Sequence, residues 1–380
     1  MAAIAAQPPC LTRHAVILAA GESTRTRPLT LHRPKPLIPL LGQPLLAHIL
    51  DALVGLVERV TLVVGYRAEM IEASFGACYR GIALRYVRQG VTNGTAGALL
   101  AAGPIDEPFF LLYGDNLVAH EDILGVCRGR YGVAGLRVRD ARSFGVLELD
   151  DGLVRGISEK PASPPPDALA NPGIYHLDGA VFPLLRRITP SPRGELELTD
   201  LIGALAARAP VLPHICEGYW VPVGTPWEAL SAAQFLLARR GGDQVWIHPE
   251  ARIEPGVQII GPTAIDAGCV VGAGAVVAAS VLGRGATVGT GARVQASWLD
   301  DGALVGAGAR LEAQPFAELW PSAETRGLLR HEQLITRGVV LGRDAVVAAG
   351  AVVAPGTIVT GERPAERSSS RREVATHHGG

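Results

Sequence analysis

The hydrophobic pattern of the chain changes near residue 245. Before it, short apolar runs that predict buried strands alternate with stretches that have helical spacing. The clearest predicted strands are 14–18, 60–64 and 109–113, and the clearest predicted helices are 44–56, 121–128 and 227–240. The alternation favours an α/β fold, with a Rossmann-like, mostly parallel sheet and helices on both faces. Ligands of such sheets bind beyond the carboxyl ends of the strands.

Beyond residue 245, apolar residues recur every six positions, and glycine follows many of them. This period fits neither a helix nor ordinary strand pairing, and it indicates a parallel β-helix in which one apolar side chain per hexapeptide enters a narrow core. The pattern resembles the left-handed hexapeptide-repeat family, whose hand departs from the usual right-handed crossover. The recurring positions are Ile247, Ile253, Ile259, Ile265, Val271, Val277, Leu282, Val288, Val294, Leu299, Val305, Leu311, Ile335, Leu341, Val347, Val353 and Val359.

These patterns predict a flexible N-terminus over 1–13, an α/β domain over 14–240, a β-helix over 245–361 and a disordered tail over 362–380. A length of 380 residues fits two domains. The net charge of −1 gives no general attraction to nucleic acid or to an anionic membrane. No apolar run reaches the ~18 residues of a membrane span. We therefore expect a soluble, cytoplasmic protein.

The run LAAGESTRTRPLTLHRPKP (residues 18–36) directly follows the first predicted strand. Small residues at 19–21 let backbone N–H groups approach a nucleotide closely. Arg25, Arg27 and Lys35 supply positive charges suited to a triphosphate. The run contains neither the P-loop nor the dinucleotide-binding pattern. A polar loop with solvated arginines is the alternative interpretation.

The same run resembles the opening motif of the sugar-1-phosphate nucleotidyltransferases, LAAGxGTRxxPLTxxxPKP. The matching residues are Gly21, Thr24, Arg25, Pro28, Leu29, Thr30, Pro34, Lys35 and Pro36. Ser23 stands where the family usually has a second glycine. The resemblance implies that Arg25 holds the β- and γ-phosphates and that Lys35 lies nearer the α-phosphate. The nucleotide-binding residues it implies are Leu18, Ala19, Ala20, Gly21, Ser23, Thr24, Gln89, Gly94 and Thr95.

Two further motifs fit the nucleotide side of such a site. Gln89 and the turn NGTAGA (93–98) are similar to the family's base-reading elements. A helix capped by Thr95 is the alternative for that turn. The run FFLLYGDN (109–116) places Asp115 at the carboxyl end of a strand, where Mg²⁺ finds oxygen ligands. An Asp that only caps a turn is the alternative, and the resemblance implies a catalytic metal ligand.

The sugar side is implied by motifs later in the chain. The FG pair that ends at Gly145 resembles an element that lets the backbone approach the sugar. Glu159 and Lys160 match the family's EKP motif, with roles on the sugar hydroxyls and the sugar phosphate. Alone, such a pair is usually a solvated surface pair. Asn171 begins NPGIY, similar to the family's NAGIY, and the run RGELELTD (193–200) fits a substrate-side helix.

One position departs from the family. The catalytic domain usually ends with WxDVGTP, whose Asp is a second metal ligand, and here Pro222 takes that place. Glu217 and Glu228 are near in sequence. Water could fill the coordination position, another carboxylate could serve, or the domain could bind a nucleotide sugar without making it.

The resemblance predicts an enzyme that transfers a nucleotidyl group from an NTP to a sugar 1-phosphate with Mg²⁺, releasing pyrophosphate and forming an NDP-sugar. Gln89 resembles the pyrimidine-reading relatives, which favours UTP or dTTP, while the GTAGA turn also occurs in guanylyltransferases. One alternative is a non-catalytic NDP-sugar-binding regulatory protein. Another is a bifunctional enzyme of the archaeal type with acetyl-CoA-dependent acetyltransferase activity, in which His331 of LLRHE (328–332) echoes a catalytic motif. We expect no nucleic-acid or membrane partner, and a homo-oligomer formed through the β-helix.

Overall fold

The computed structural model describes residues 12–90, 94–138, 140–315 and 336–361. Its first part holds fifteen strands among these residues: β1 (His14–Ala19), β2 (Pro39–Leu40), β3 (Gln43–Pro44), β4 (Arg59–Val64), β5 (Cys78–Tyr79), β6 (Ile82–Arg88), β7 (Phe109–Tyr113), β8 (Asn116–Val118), β9 (Gly132–Arg137), β10 (Gly145–Asp150), β11 (Leu153–Glu159), β12 (Leu169–Ala170), β13 (Ile174–Leu177), β14 (Leu212–Ile215) and β15 (Trp220–Pro222). The main sheet has the order β11-β10-β12-β9-β13-β7-β1-β4-β6-β5, and β14 also pairs with β9. Strands β7, β1, β4 and β6 are parallel. Beyond them, β13 pairs antiparallel with β7 and β9.

Strand β1 shows why this sheet is buried on both faces. Ala15 and Ile17 belong to the hydrophobic core on one face, and Val16 belongs to the core on the other. All three are fully buried. A continuous apolar run is expected for a parallel strand that helices cover on both sides.

The helices of this part are α1 (Leu45–Asp51), α2 (Ala68–Phe75), α3 (Gly94–Ala101), α4 (His120–Gly125), α5 (Val181–Leu185), α6 (Leu198–Ala206) and α7 (Pro226–Arg240). The helix predicted over 44–56 is shorter than expected: it ends at Asp51, turns follow, and Gly55 has a φ of +82°. Positive φ is incompatible with a continuing helix. The helix predicted over 121–128 is α4 followed by the 3₁₀ turn Val126–Arg128.

The second part is a stack of short parallel strands: β16 (Val245–Ile247), β17 (Arg252–Ile253), β18 (Gln258–Ile260), β19 (Thr263–Ile265), β20 (Val270–Val271), β21 (Val276–Ala278), β22 (Val281–Leu282), β23 (Thr287–Val288), β24 (Arg293–Gln295), β25 (Trp298–Leu299), β26 (Leu304–Val305), β27 (Arg310–Leu311), β28 (Gln314–Pro315), β29 (Thr336–Arg337), β30 (Val340–Leu341), β31 (Val346–Val347), β32 (Val352–Val353) and β33 (Ile358–Val359). Three parallel sheets form the prism: β16-β19-β22-β25-β30-β33, β17-β20-β23-β26-β31 and β18-β21-β24-β27-β32. The predicted fold class, an α/β sheet followed by a left-handed parallel β-helix of hexapeptides, is confirmed.

The repeat positions from Ile265 to Val347 that lie within the described residues are buried or nearly so in the prism. At its ends, Ile253, Ile259, Val353 and Val359 are only partly buried. Ile247 differs from the prediction, because the residue is 38% exposed. It lies in the first coil, which no preceding coil covers. Ile335 lies outside the described residues.

The two parts share a hydrophobic core. Helix α7 contributes Ala232, Ala233 and Leu237, and the outer face of one prism sheet contributes Val281 and Trp298. Gln234 Nε2 also donates a hydrogen bond of 2.8 Å to the carbonyl of Ala279. The β-helix is therefore packed on the sheet domain rather than tethered to it. Among the residues described, no helix has the length and apolar character needed to cross a membrane.

Candidate active site

The carboxyl ends of the parallel strands lie at one edge of the sheet. Leu18 of β1 is in register with Tyr113 of β7, and β4 and β6 run parallel beside them. The run 18–36, hereafter the signature segment, leaves the sheet at this edge, as do Gln89 and Asp115. The structure thus brings the predicted nucleotide and metal residues to the same edge.

Glycines let the loops at this edge approach each other. A Cβ on Gly114 would lie 2.7 Å from the carbonyl oxygen of Leu18, and a Cβ on Gly65 would lie 2.5 Å from that of Ala20. Real Cβ atoms do not come this close to backbone. The glycine before Asp115 is therefore required by packing against β1.

The signature segment is fixed by its own threonines. Ser23 has a φ of +56°, in the left-handed region that favours glycine, which is a physical reason for the glycine of the family motif. Its carbonyl accepts a hydrogen bond of 3.0 Å from Thr30 Oγ1. Thr26 Oγ1 donates one of 3.0 Å to the carbonyl of Gly224, in the turn before α7.

Three cations of the segment were predicted to bind the triphosphate, and they have different environments. Lys35 is buried, and its Nζ donates to Asp115 Oδ2 at 2.9 Å. Arg27 forms an ion pair with Glu22. Arg25 is exposed and has no ion pair with any described residue. Of these three, Arg25 is therefore the cation left available for an anionic ligand.

On the nucleotide side, Gln89 contacts the entrance of α3. Its Nε2 donates a hydrogen bond of 3.2 Å to the carbonyl of Gly94. Gly94 has a φ of +87°, and a Cβ there would lie 2.4 Å from the carbonyl of Leu196. Thr95 Oγ1 accepts from the backbone N–H of Leu198 at 3.0 Å, so its hydroxyl joins α3 to α6. Asn93, at the start of the turn, lies outside the described residues.

On the sugar side, the carboxylate of Glu159 lies between two cations. Lys160 Nζ is 3.7 Å from Glu159 Oε1, and Arg193 Nη2 is 3.3 Å from the same oxygen. Arg193 also donates to Glu197 Oε1 at 2.8 Å. The sequence predicted a substrate-side helix over 193–200 but did not identify Arg193 as a site residue. The signal for it was an arginine in a motif that the resemblance already placed beside the sugar.

Asn171 is held by Tyr175, which is buried and contacts Tyr113. Its Nδ2 donates to Tyr175 Oη at 2.6 Å, and its Oδ1 accepts from the N–H of Gly173 at 2.9 Å. Tyr175 Oη is 3.2 Å from Tyr113 Oη. Burial raises the pKa of Tyr175 to about 12, and it raises the pKa of Tyr113 well above its usual value. Both hydroxyls therefore stay protonated and can donate hydrogen bonds. Gly145 accepts from Asn171 N at 2.8 Å, which joins two of the predicted sugar residues.

A metal at this edge would find the carboxylate of Asp115 near the β7 terminus. The Asp115 side chain is 43% exposed. Pro222 pairs with Asn116 on β8, so the strand position of the family's second Asp is retained without its carboxylate. Glu228 Oε2 accepts from the N–H of Gly224 at 2.7 Å and is occupied in capping α7. Glu217 lies at the opposite end of this strand pair, where its N–H donates to Asp122.

A second cluster of metal-ligand types lies elsewhere. Asp122, His214 and Cys216 are buried and close together. The carboxylate of Asp122 accepts from His214 Nε2 and from the N–H groups of Glu217 and Gly218. Burial raises the pKa of the Cys216 thiol, which keeps it protonated. With its hydrogen-bonding capacity used inside the chain, Asp122 has a structural role, and sequence spacing gave no signal for this cluster.

Residues 14–239 match the family model described as nucleotidyl transferase. The chain belongs to the nucleotidyl transferase family. The family resemblance seen in the sequence is therefore confirmed. Residues 242–371 match the model described as GMPPB C-terminal domain.

The chain is also similar to named proteins. The chain is 36% identical over 258 residues to "Bifunctional protein GlmU" of Methanocaldococcus jannaschii, covering 67% of this chain and 61% of that protein. It is 35% identical over 233 residues to "UTP--glucose-1-phosphate uridylyltransferase AglF" of Haloferax volcanii, covering 58% of this chain and 96% of that one. The chain spans about three fifths of the length of the GlmU relative.

A solved UDP-glucose pyrophosphorylase, complexed with UDP-glucose, has the same fold as the first part. Its TM-score is 0.53 at 23% identity, and the likeness covers 60% of this chain and 100% of that chain. At this identity the likeness establishes the fold of the sheet domain.

Proposed function

We propose that the chain is a sugar-1-phosphate nucleotidyltransferase that forms an NDP-sugar and releases pyrophosphate. The observation that carries the proposal is the Lys35–Asp115 ion pair at the sheet edge, inside a domain of the nucleotidyl transferase family. It joins the signature segment to the carboxyl end of β7. The uridylyltransferase name of one relative supports UTP as a substrate, and dTTP remains the alternative base donor.

In the proposed reaction, an oxygen of the sugar 1-phosphate attacks the α-phosphorus of the NTP. The new P–O bond forms as the bond to the β-phosphate breaks, and pyrophosphate leaves. Arg25 is assigned to the departing phosphates, and Lys35 to the α-phosphate. Lys160 and Glu159 are assigned to the sugar phosphate and hydroxyls, with Asn171 beside them. Positioning and charge stabilisation supply the catalysis.

The donor set at Asp115 fits Mg²⁺, which is often held by one or two carboxylates together with substrate phosphates. Asp115 would hold the ion, and the ion would neutralise charge on the reacting phosphates. Lys35 orients the Asp115 carboxylate through its hydrogen bond. We propose that Pro222 is tolerated because phosphate and water oxygens complete the coordination.

The test is pyrophosphate release with Mg²⁺ across UTP, dTTP, GTP, CTP and ATP, each paired with the 1-phosphates of glucose, mannose, glucosamine and N-acetylglucosamine. Asp115→Asn should lower kcat by about 10²–10³-fold, the usual loss for one stabilising group. Asp151→Asn is the matched control, because Asp151 is exposed in the β10–β11 turn. Nucleotide-sugar binding without turnover would instead support the regulatory protein.

Acetyl transfer is a second candidate, favoured by the word "bifunctional" in the name of the GlmU relative. Its proposed base, His331, lies outside the described residues. Acetyl-CoA consumption with glucosamine 1-phosphate, lost in His331→Ala, would support it. We also propose a homo-oligomer built through the β-helix, and the domain division 14–240 and 245–361.

A further inference from the structure

A buried ion-pair cluster connects the signature segment to the β-helix. Arg33 lies two residues before Lys35, and its side chain is 6% exposed. Its Nη2 donates to Asp301 Oδ2 at 2.6 Å and lies 3.0 Å from Asp300 Oδ1. Both aspartates form the corner of the prism between β25 and β26. The contact therefore spans from the sheet domain to the middle of the β-helix.

The next coil of the prism reinforces this corner. Arg343, which follows β30, donates from Nη2 to the same Asp301 Oδ2 at 3.0 Å. Asp344 N also donates to the carbonyl of Asp301 at 3.0 Å. The Asp301 carboxylate is therefore shared by one cation from each part of the chain.

Asp300 depends on Arg33 as its counter-charge. The Asp300 side chain is 2% exposed, and its Oδ1 accepts no hydrogen bond from the described residues. Breaking a buried charge pair from one side leaves an uncompensated charge, which is strongly unfavourable. The position of Arg33 is therefore tightly restricted by the β-helix.

A second contact joins the same segment to the β-helix. A Cβ on Gly342 would lie 3.0 Å from Pro28 Cβ, so this prism corner packs directly on the signature segment. Pro28 and Arg33 both lie between Arg25 and Lys35 in the sequence. The β-helix thus contacts the stretch that carries both proposed phosphate-binding cations.

We infer that Arg33 is a positioning residue and that the Asp300–Asp301 corner of the β-helix, through Arg33, aligns Lys35 and Arg25 for the nucleotide. The inference rests on the proposed function for its kinetic consequence. It gives the β-helix a role in nucleotidyl transfer itself, beyond oligomer formation. A misplacement of about 1 Å at a reacting group can lower a rate by about 10²-fold.

The experiment compares full-length wild type with Asp301→Asn, Arg33→Lys and Arg33→Met. Gln234→Ala is the matched control, because it removes a hydrogen bond from the same domain interface away from the signature segment. Steady-state pyrophosphate release, measured at a temperature below the Tm of every variant, gives kcat and KM. A second readout, the rise in Tm on adding Mg²⁺ and the best NTP, needs no turnover.

We expect Asp301→Asn to lower kcat by about 10–100-fold and to reduce the NTP-induced rise in Tm. Arg33→Lys should retain more activity than Arg33→Met, and Gln234→Ala should keep kcat within about twofold, even where its unliganded Tm falls. Equal effects of Asp301→Asn and Gln234→Ala, or no effect of Asp301→Asn, would overturn the inference. If wild type binds NTP without turnover, the proposed function fails and the Tm readout still decides the inference. If wild type neither binds nor turns over NTP, both are wrong.

Discussion

Lys35 Nζ lies 2.9 Å from Asp115 Oδ2, and the two partners are unequally buried. The Lys35 side chain is 7% exposed, and that of Asp115 is 43% exposed. Asp115 is therefore the member of the pair that is open to a ligand. The buried charge of Lys35 depends on Asp115 for its counter-charge. The two halves of the pair should consequently respond differently to mutation.

Lys35→Met should lower kcat by about 10²–10³-fold, because it removes a charge from the proposed transition state and retains the shape of the side chain. Its Tm should stay close to wild type, since Asp115 remains solvated. Asp115→Asn should lower the Tm, because it leaves a buried ammonium group without its counter-charge. Pyrophosphate release and thermal melting of both variants check this. An equal loss of Tm in both would contradict the asymmetry.

Pro222→Asp should lower the Mg²⁺ concentration needed for half-maximal activity by about tenfold, because it supplies a second carboxylate at the strand position opposite Asn116. The measurement is a Mg²⁺ titration of pyrophosphate release, together with a titration of Tm at fixed NTP. Pro222→Asn is the control for loss of the proline ring. The same Mg²⁺ dependence in all three proteins would show that this position does not face the metal.

Thr225→Ala should lower the free energy of unfolding by about 1 kcal/mol, the usual cost of losing an N-cap hydroxyl. Thr225 Oγ1 accepts from Glu228 N at 3.3 Å, which is one half of a capping box. Glu228 Oε2 accepts at 2.7 Å from the N–H of Gly224, the residue before the N-cap. Thr225→Ser should keep most of the stability. Urea unfolding followed by circular dichroism measures both, and equal losses would argue against the cap.

The stability of the protein should depend on the charge state of Asp300. Burial raises the pKa of Asp300 to about 6, against the opposing effect of Arg33. Between about pH 4 and pH 6 the folded protein holds a proton there that the unfolded chain has lost. The contribution of Asp300 to the free energy of unfolding therefore falls as the pH rises through this window, by on the order of 1–3 kcal/mol.

Asp300→Asn cannot titrate and should lack this fall. Urea unfolding of wild type and Asp300→Asn between pH 4 and pH 7 isolates the contribution, because the other carboxyl groups are common to both. Asp151→Asn, at an exposed turn, should follow the wild-type curve. Curves for wild type and Asp300→Asn that run parallel across the window would contradict the prediction.

Local sequence signals predicted the fold well. The strand over 109–113 was predicted with its observed bounds, and α7 begins one residue before the predicted helix. The family resemblance, carried by the signature segment, is confirmed. The roles assigned to the site residues, the bound Mg²⁺, the oligomer and the use of acetyl-CoA stay predictions.

The missed details are side-chain partners that lie far apart in the chain. Nothing in the local sequence marks Arg33 as the partner of Asp301. One further missed detail was local: Thr225 and Glu228 form the T-x-x-E pattern of a helix cap, which indicates a capping role for Glu228. The helix predicted over 44–56 was too long, because its apolar spacing continues past Asp51 while the backbone turns toward Gly55.

The sequence by itself determined the α/β sheet, the hexapeptide β-helix and the family, because hydrophobic periodicity and short motifs are read within a few residues. Only the tertiary structure decided that Lys35 pairs with Asp115 and that Arg193 pairs with Glu159. It also decided that the β-helix contacts the signature segment through Arg33. Those contacts depend on how elements separated by many residues pack together. Packing places charged side chains in pairs that no local pattern specifies.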